Sequence, residues 1–258
     1  MLDAAGDTLV GSQTLGRAIA LLRLIAGHGS HGARLLDLAS ESKLSRPTVH
    51  RLLKRLCLER LAAQDPHSKR YVLGGLAFEL GLVARSPLRR LSKHRLEIDA
   101  LAATTEDTAY LVMRTGDELV CLYLAEGAYP IRERTFEVGI RRPLATGAGG
   151  LALLAAMRNE DVRAAIARNP EWWRRLGNSD AELLKCIQRA RTQGAVDTGN
   201  LKGVTGVAVP VPVDVGASYL AVCVGAVSSR ISPVRMPKLF KTLSATARRI
   251  AVIEASVV

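Results

Sequence analysis

Histidine runs out early in this chain. The five are His28, His31, His50, His67 and His94, and residues 95–258 contain none. A Ser-His-Asp or Cys-His catalytic site within that stretch is excluded, and so is a histidine-based metal site. The acid pairs Glu106–Asp107 and Asp117–Glu118 fall at strand ends and turns, so nothing brings two carboxylates to one pocket, and the chain reads as no enzyme. Cysteine is scarce and unpaired. Cys57, Cys121, Cys186 and Cys223 lie far apart with no CxxC spacing, which argues against zinc and for four reduced thiols in a cytoplasmic protein. Long apolar runs are missing too. A charged residue interrupts every candidate before the roughly 18 residues of a membrane span, so no membrane partner is expected. Met1 to Gly11, with Asp3 and Asp7, lacks the basic start and apolar centre of a secretory signal. Acids are outnumbered, at 24 against 36 lysines and arginines, for a net charge of +12.

At 258 residues, against about 150 for a typical domain, two domains are the natural reading. Hydrophobic residues make up 48% and charged ones 23%, an ordinary globular balance. The positive excess is uneven: residues 1–90 hold 14 bases and 7 acids, residues 91–258 hold 22 and 17. A basic N-terminal third suits a polyanion, because each neutralised phosphate releases counterions. The same third is patterned as helices. Residues 14–26 carry Leu15, Ile19, Leu22 and Ala26 on one stripe, and GHGSHG at 27–32 stops the helix. A second helix spans about Leu35 to Glu41. After a break at Ser42–Leu44, Ser45 caps a third, with Pro47 tolerated in its first turn. There Val49, Leu52, Leu53 and Leu56 form a buried stripe, while His50, Arg51 and Lys54 fall opposite, flanked by Thr48 and Arg55. Residues 61–73 read as a hairpin with Lys69 and Arg70 at its tip, and 76–85 as a further apolar helix.

The remainder reads as α+β. Helices are expected at 88–104, after TGAGG at 146–150, at 160–168 and 180–193, and from Ser232–Pro233 toward Ile253. Strands are expected at 108–114, 118–124, 131–137, 204–213 and 218–226. TGAGG lacks the GKS/T ending of a nucleotide-binding loop, so no cofactor is expected. By sequence it is equally a tight turn or a helix start whose N–H groups hold a carboxylate. Trp172 and Trp173 lie between helices, one of them expected to pack on the sheet.

Helix, break, helix and basic-tipped hairpin make a winged helix-turn-helix, and LLDLASESKLSRPTVHRLLKRLCLERLAAQDPHSKRYVLG resembles the DNA-binding domain of the isocitrate lyase regulator (IclR) family of bacterial transcription factors. VGIRRPLATGAGGLALLA at 138–155 and GAVDTGNLKGVTGVAVPV at 194–211 resemble that family's second domain, and the likeness covers about residues 12–254. It implies a winged helix-turn-helix over 12–74, a linker helix over 75–90 and a GAF-like effector-binding domain over 91–254, with an antiparallel sheet and flanking helices. It also implies a homodimer or homotetramer. Some positions depart from the family pattern. Lys43 stands where a glycine usually makes the turn, Pro47 for a serine, Gly150 for a lysine, Gly206 for a frequent cysteine, and Cys223 and Gly225 for two frequent serines.

The functional expectation is an effector-responsive regulator binding double-stranded operator DNA. Arg46, Pro47, Thr48, His50 and Arg51 would face the major groove, with Lys54, Arg55, Lys69 and Arg70 reaching phosphates or groove edges. A charged helix face is otherwise merely solvated, and helix and wing together tip the balance to DNA. The resemblance implies effector contacts at Thr146, Gly147, Ala148 and Gly149, at Asp197, and on the strands at Gly206, Val207, Cys223 and Gly225. The effector itself is expected to be a small organic acid, aromatic because Gly206 and Gly225 would leave a roomy cavity. The competing reading is a ligand-independent architectural DNA-binding protein, against which stands the size of the second domain.

Overall fold

Apolar side chains three and four residues apart set the first three helices and fold them on one another. In the computed structural model, which describes residues 12–83, 91–131, 136–169, 179–198, 203–213 and 218–256, α1 (Gln13–Gly27) buries Leu21 and Ile25. α2 (Leu35–Ser42) buries Leu38 and Ala39, and α3 (Arg46–Leu58) buries Val49, Leu52, Leu53 and Leu56. Strands β1 (Ala62–Gln64) and β2 (Tyr71–Leu73) pair antiparallel and add Ala62 and Tyr71 to the same core. Each fully buried leucine contributes roughly 2 kcal/mol, which lets so small a core hold. α4 (Gly75–Val83) follows. The hydrophobic pattern made it a helix, yet none of its residues is buried.

The chain divides into two units, Met1–Arg85 and Ser86–Val258. The second is built on a six-stranded antiparallel sheet. It contains α5 (Leu91–Thr105), β3 (Thr108–Thr115), β4 (Glu118–Ala125), β5 (Arg141–Pro143), α6 (Ala148–Ala155), α7 (Asn159–Arg168), α8 (Asp180–Gln193), β6 (Val196–Asp197), β7 (Val204–Pro210), β8 (Leu220–Val227) and α9 (Arg235–Ala255). The strand order is β5-β4-β3-β8-β7-β6. Alternation sorts the side chains between the two faces. Ala109, Leu111, Val207, Val209, Val222 and Val224 pack against α5 and α9. Tyr110, Val112, Cys121, Ala208, Ala221 and Cys223 pack on the other side with α6, α7 and α8. A bulge in β4, where Leu111 faces Tyr123 and Val112 faces Cys121, keeps both faces in phase.

The expected strand at 131–137 lies largely outside the described residues. Ile131 and Phe136 to Ile140 are not in a strand, and a short strand lies at Arg141–Pro143, pairing with Glu118–Val120. Phe136 instead turns inward as a core residue, which gives an apolar signal without a strand. The acids at the turns are held by arginines. Arg230 Nε donates to Asp107 at 2.9 Å and Arg235 Nη2 at 2.5 Å, with the Asp107 carboxylate almost fully buried. Arg168 makes a two-pronged bond to Asp117 at 2.7 and 2.8 Å, and Asn169 adds a third at 2.9 Å. Trp172, Trp173 and residues 214–217 lie outside the described residues. No helix among the described residues is long and apolar enough to cross a membrane.

Candidate functional site

The first candidate surface is the outer face of α3. Lys43 closes α2 in the left-handed conformation, φ 55 and ψ 24, and turns the chain so that α3 starts afresh at Ser45. The Ser45 and Thr48 hydroxyls bond each other at 2.8 Å, leaving Thr48 half-buried at the start of the helix. Arg46, Pro47, His50, Arg51, Lys54 and Arg55 are exposed. Among the described residues no acid pairs with Arg46, Arg51 or Lys54. Arg55 differs, because its guanidinium is held by Glu59 just beyond the helix.

The hairpin tip is shaped by Asp65. Its carboxylate accepts from the N–H of His67 at 3.1 Å and from both the N–H and the hydroxyl of Ser68, at 2.6 and 2.8 Å. Those bonds, the Ser68 N–H first, hold its carboxyl below the usual value. Gln64 Nε2 donates to the Lys69 carbonyl at 3.0 Å, and Lys69 sits exposed at φ 57, displayed by the turn. Arg70 is used inward: its Nη1 donates to the Gly32 carbonyl at 2.9 Å, tying the hairpin to the loop after α1. The two basic residues at the tip are therefore not equivalent.

The second candidate is the start of α6. Gly147 takes φ 100, a conformation closed to other residues in practice. The glycines after it are explained by contact. A Cβ on Gly149 would lie 2.7 Å from Cys223 Sγ, and one on Gly150 would lie 1.5 Å from the Leu144 carbonyl oxygen. The glycine run is thus a packing requirement that lays α6 directly on the sheet. It also leaves donors unmatched, as no acceptor among the described residues takes the N–H groups of half-buried Gly147 or buried Ala148 and Gly149. Thr146 turns its hydroxyl to the Pro143 carbonyl at 2.6 Å, keeping its oxygen free only to accept.

Several expected strand contacts are relocated. Val207 is fully buried on the α5 and α9 side, so it shares no wall with the α6 start, and Val209, Val222 and Val224 lie with it. Their neighbours Ala208, Ala221 and Cys223 face α6, a consequence of the two-residue strand period. The roominess expected of Gly206 and Gly225 is absent. A Cβ on Gly206 would meet the Ala148 methyl at 3.2 Å, and one on Gly225 would meet the Tyr110 ring at 3.3 Å. The Cys223 sulfur is walled in, and burial pushes its thiol upward; Cys121, on the same face, is pushed up to about 12. Asp197 lies across from Val207 on the edge strand, its carboxylate 4.0 Å from Arg189 Nη2. Tyr110 went unnoticed in the sequence, although its alternation with Val112 places it on the α6 face. Among the described residues no cluster of histidine, cysteine and acids is set to hold a metal. A cleft of about 330 Å³ lined by Tyr219, Val252 and Glu254, among others, belongs to neither candidate.

The comparisons with known proteins agree with both halves. A family model described as the IclR helix-turn-helix domain matches residues 14–66, and one described as the bacterial transcriptional regulator IclR C-terminal matches residues 82–252. The chain is similar to the HTH-type transcriptional regulator BhcR of Paracoccus denitrificans, 26% identical over 93% of this chain and 87% of the relative. It is similar to the HTH-type transcriptional regulator TtgV of Pseudomonas putida, 30% identical over 60% of this chain and 59% of that one. Among solved structures, an IclR transcriptional regulator from a Silicibacter species superposes with a TM-score of 0.77 at 24% identity, over 93% of this chain and 95% of the other. An IclR homologue from Microbacterium hydrocarbonoxydans, solved in complex with 4-hydroxybenzoate, does so with a TM-score of 0.72 at 19% identity, over 94% and 100%. At these identities the structures speak for the fold.

Proposed function

Because this chain belongs to the IclR family of bacterial transcriptional regulators, and is a regulator rather than an enzyme, we propose that it controls a catabolic operon in response to a small aromatic acid. In this reading α3 enters the major groove of operator DNA, and the observation that carries it is the unpaired cationic face of that helix. Arg46 and Arg51 read base edges, Thr48 and His50 flank them, and Pro47 stiffens the first turn. Lys54 and Lys69 touch phosphates. Arg55 and Arg70, drawn to Glu59 and Gly32, contribute less. The protein works in the cytoplasm.

The test begins with operators selected from randomised duplexes. Arg51→Ala should cost about 1–3 kcal/mol on the selected sequence and much less on random DNA. Lys69→Ala should weaken both alike and reduce the salt slope by about one. Equal loss on both DNAs for Arg51→Ala would assign that residue to phosphate instead.

The effector reading places a carboxylate at the N–H groups of Gly147, Ala148 and Gly149, where unpaired donors meet the positive end of the helix dipole. Two supports favour an aromatic acid: the Tyr110 ring beside Gly225, and the fold neighbour that holds 4-hydroxybenzoate. Gly206, Gly225 and Cys223 supply floor rather than space, with Asp197 at the rim. Binding shifts operator affinity only as far as the acid prefers one arrangement of the regulator over another. The architectural reading predicts instead that aromatic acids leave operator affinity unchanged. Assembly as a homodimer or homotetramer is supported by apolar side chains that α1 and α4 leave exposed, among them Leu15, Phe78, Leu82 and Val83.

A further inference from the structure

α4 is apolar, yet none of its residues is buried, so the packing of its own side chains does not set its direction. The contacts that tie it to the rest of its unit gather at its first turn, around one residue. Arg60 stands two residues past Leu58, the last of α3, and takes a left-handed backbone with φ 58. Its N–H donates to the Cys57 carbonyl at 3.0 Å, in the last turn of α3. Its carbonyl accepts from the N–H of Leu76 at 3.0 Å, one of the donors that a helix start leaves unmatched. Its guanidinium donates to Glu79, about one turn further along α4.

Gly74 makes the approach this close. Its N–H donates to the Leu61 carbonyl at 2.9 Å, and a Cβ on it would fall 2.1 Å from the Arg60 carbonyl oxygen. Any side chain there would drive the two segments apart. Arg60 therefore grips the end of the recognition helix with one backbone group, and the start of α4 with the other and with its side chain. The two helices turn as one body.

We propose that Arg60 is a positioning residue for operator recognition. It fixes the angle of α4 to α3 and, through the pairing of α4 with that of a second copy, sets the half-site spacing that the regulator accepts. This rests on two readings above, α3 in the major groove and association through α4. One base pair more or fewer between half-sites moves one of them by about 3.4 Å and turns it by about 35° around the duplex. A stiff joint cannot follow that step, and a loose one can. Linked contacts lose their avidity when geometry forbids making both at once, so stiffness turns spacing into affinity.

The experiment titrates the full chain, unaltered and as Arg60→Gly and Glu79→Gln, with duplexes carrying selected half-sites. One set has two half-sites at the selected spacing, or one base pair more or fewer, and a control has a single half-site. Glycine suits a left-handed backbone, and the ion pair is exposed, so neither variant should melt much lower. The unaltered protein should lose at least about tenfold in affinity for either change of spacing. Both variants should cut that loss to about threefold or less, with single half-site affinity nearly unchanged. The two substitutions alter the charge in opposite directions. If Arg60 only touched phosphate, one would weaken binding and the other strengthen it, with the spacing preference intact. That pattern, or a preference unchanged in both variants, overturns the assignment of Arg60 and leaves association through α4 standing. So does equal binding of all three spacings by an unaltered protein that sediments as a dimer. Equal binding by a protein that sediments as a monomer overturns the association reading and this inference with it. If no operator can be selected at all, the DNA reading falls and takes this inference too.

Discussion

Lys43 holds a left-handed backbone at the joint between α2 and α3, where a β-carbon crowds the following carbonyl. Lys43→Gly should relieve that crowding. After allowing for the greater freedom of glycine in the unfolded chain, the gain is about 0.5–1 kcal/mol, read as a higher urea midpoint with an unchanged slope. The departure of this lysine from its relatives was visible in the sequence, and the structure gives it a conformation. The cysteines make a second case. Burial pushes Cys121 up to about 12 and Cys223 further still, so neither forms thiolate at pH 8. Native protein should therefore yield these two to a thiol reagent only after denaturant is added, and prompt labelling of Cys223 would contradict the packing of Gly149 against it. The expected role of Cys223 as a polar contact could not be judged from sequence, because nothing in a spacing tells how closely a helix settles on a strand.

Helices were read more easily than strands because a buried stripe every three or four residues is long and redundant. α3 was legible down to its four buried residues. β5 was not, because three residues of Arg-Arg-Pro carry no alternation and the nearby apolar signal belongs to Phe136. The strand faces were the other loss. Val207 and Cys223 read equally well as wall residues, and only the register between β7 and β8 separates them. The β3–β4 turn shows what an ion pair adds between elements. Arg168, and then Asn169, hold the Asp117 carboxyl below its ordinary value despite partial burial. A depressed carboxyl stabilises fully above its unfolded value, near 3.9, and that contribution is lost as pH falls through the lower folded value. Asp117→Asn should cost about 1 kcal/mol at pH 6, and the gap from the unaltered protein should narrow in melting curves as pH falls below the unfolded value. A gap of the same size across the whole acid range would mean the charge plays no part.

Among the described residues, α4 is the only α-helix that buries none of its own side chains, and Phe78 is 69% exposed on it. An apolar helix left open to water is costly, so the chain should associate through it. Phe78→Asp should move the full-length protein toward monomer in sedimentation equilibrium at micromolar concentration, with each unit still folded by circular dichroism. Operator affinity should fall with it, since two half-sites need two recognition helices. The sheet is less suited to such association. Its valine-rich strands β7 and β8 would be aggregation templates in isolation, but among the described residues the sheet ends in β5 and β6, strands of three and two residues. A border that short offers an incoming strand almost nothing to zip onto. Among the described residues the terminal strands give strand addition little hold, and when this protein is concentrated it should stop at a closed assembly of helices and not run on into fibres.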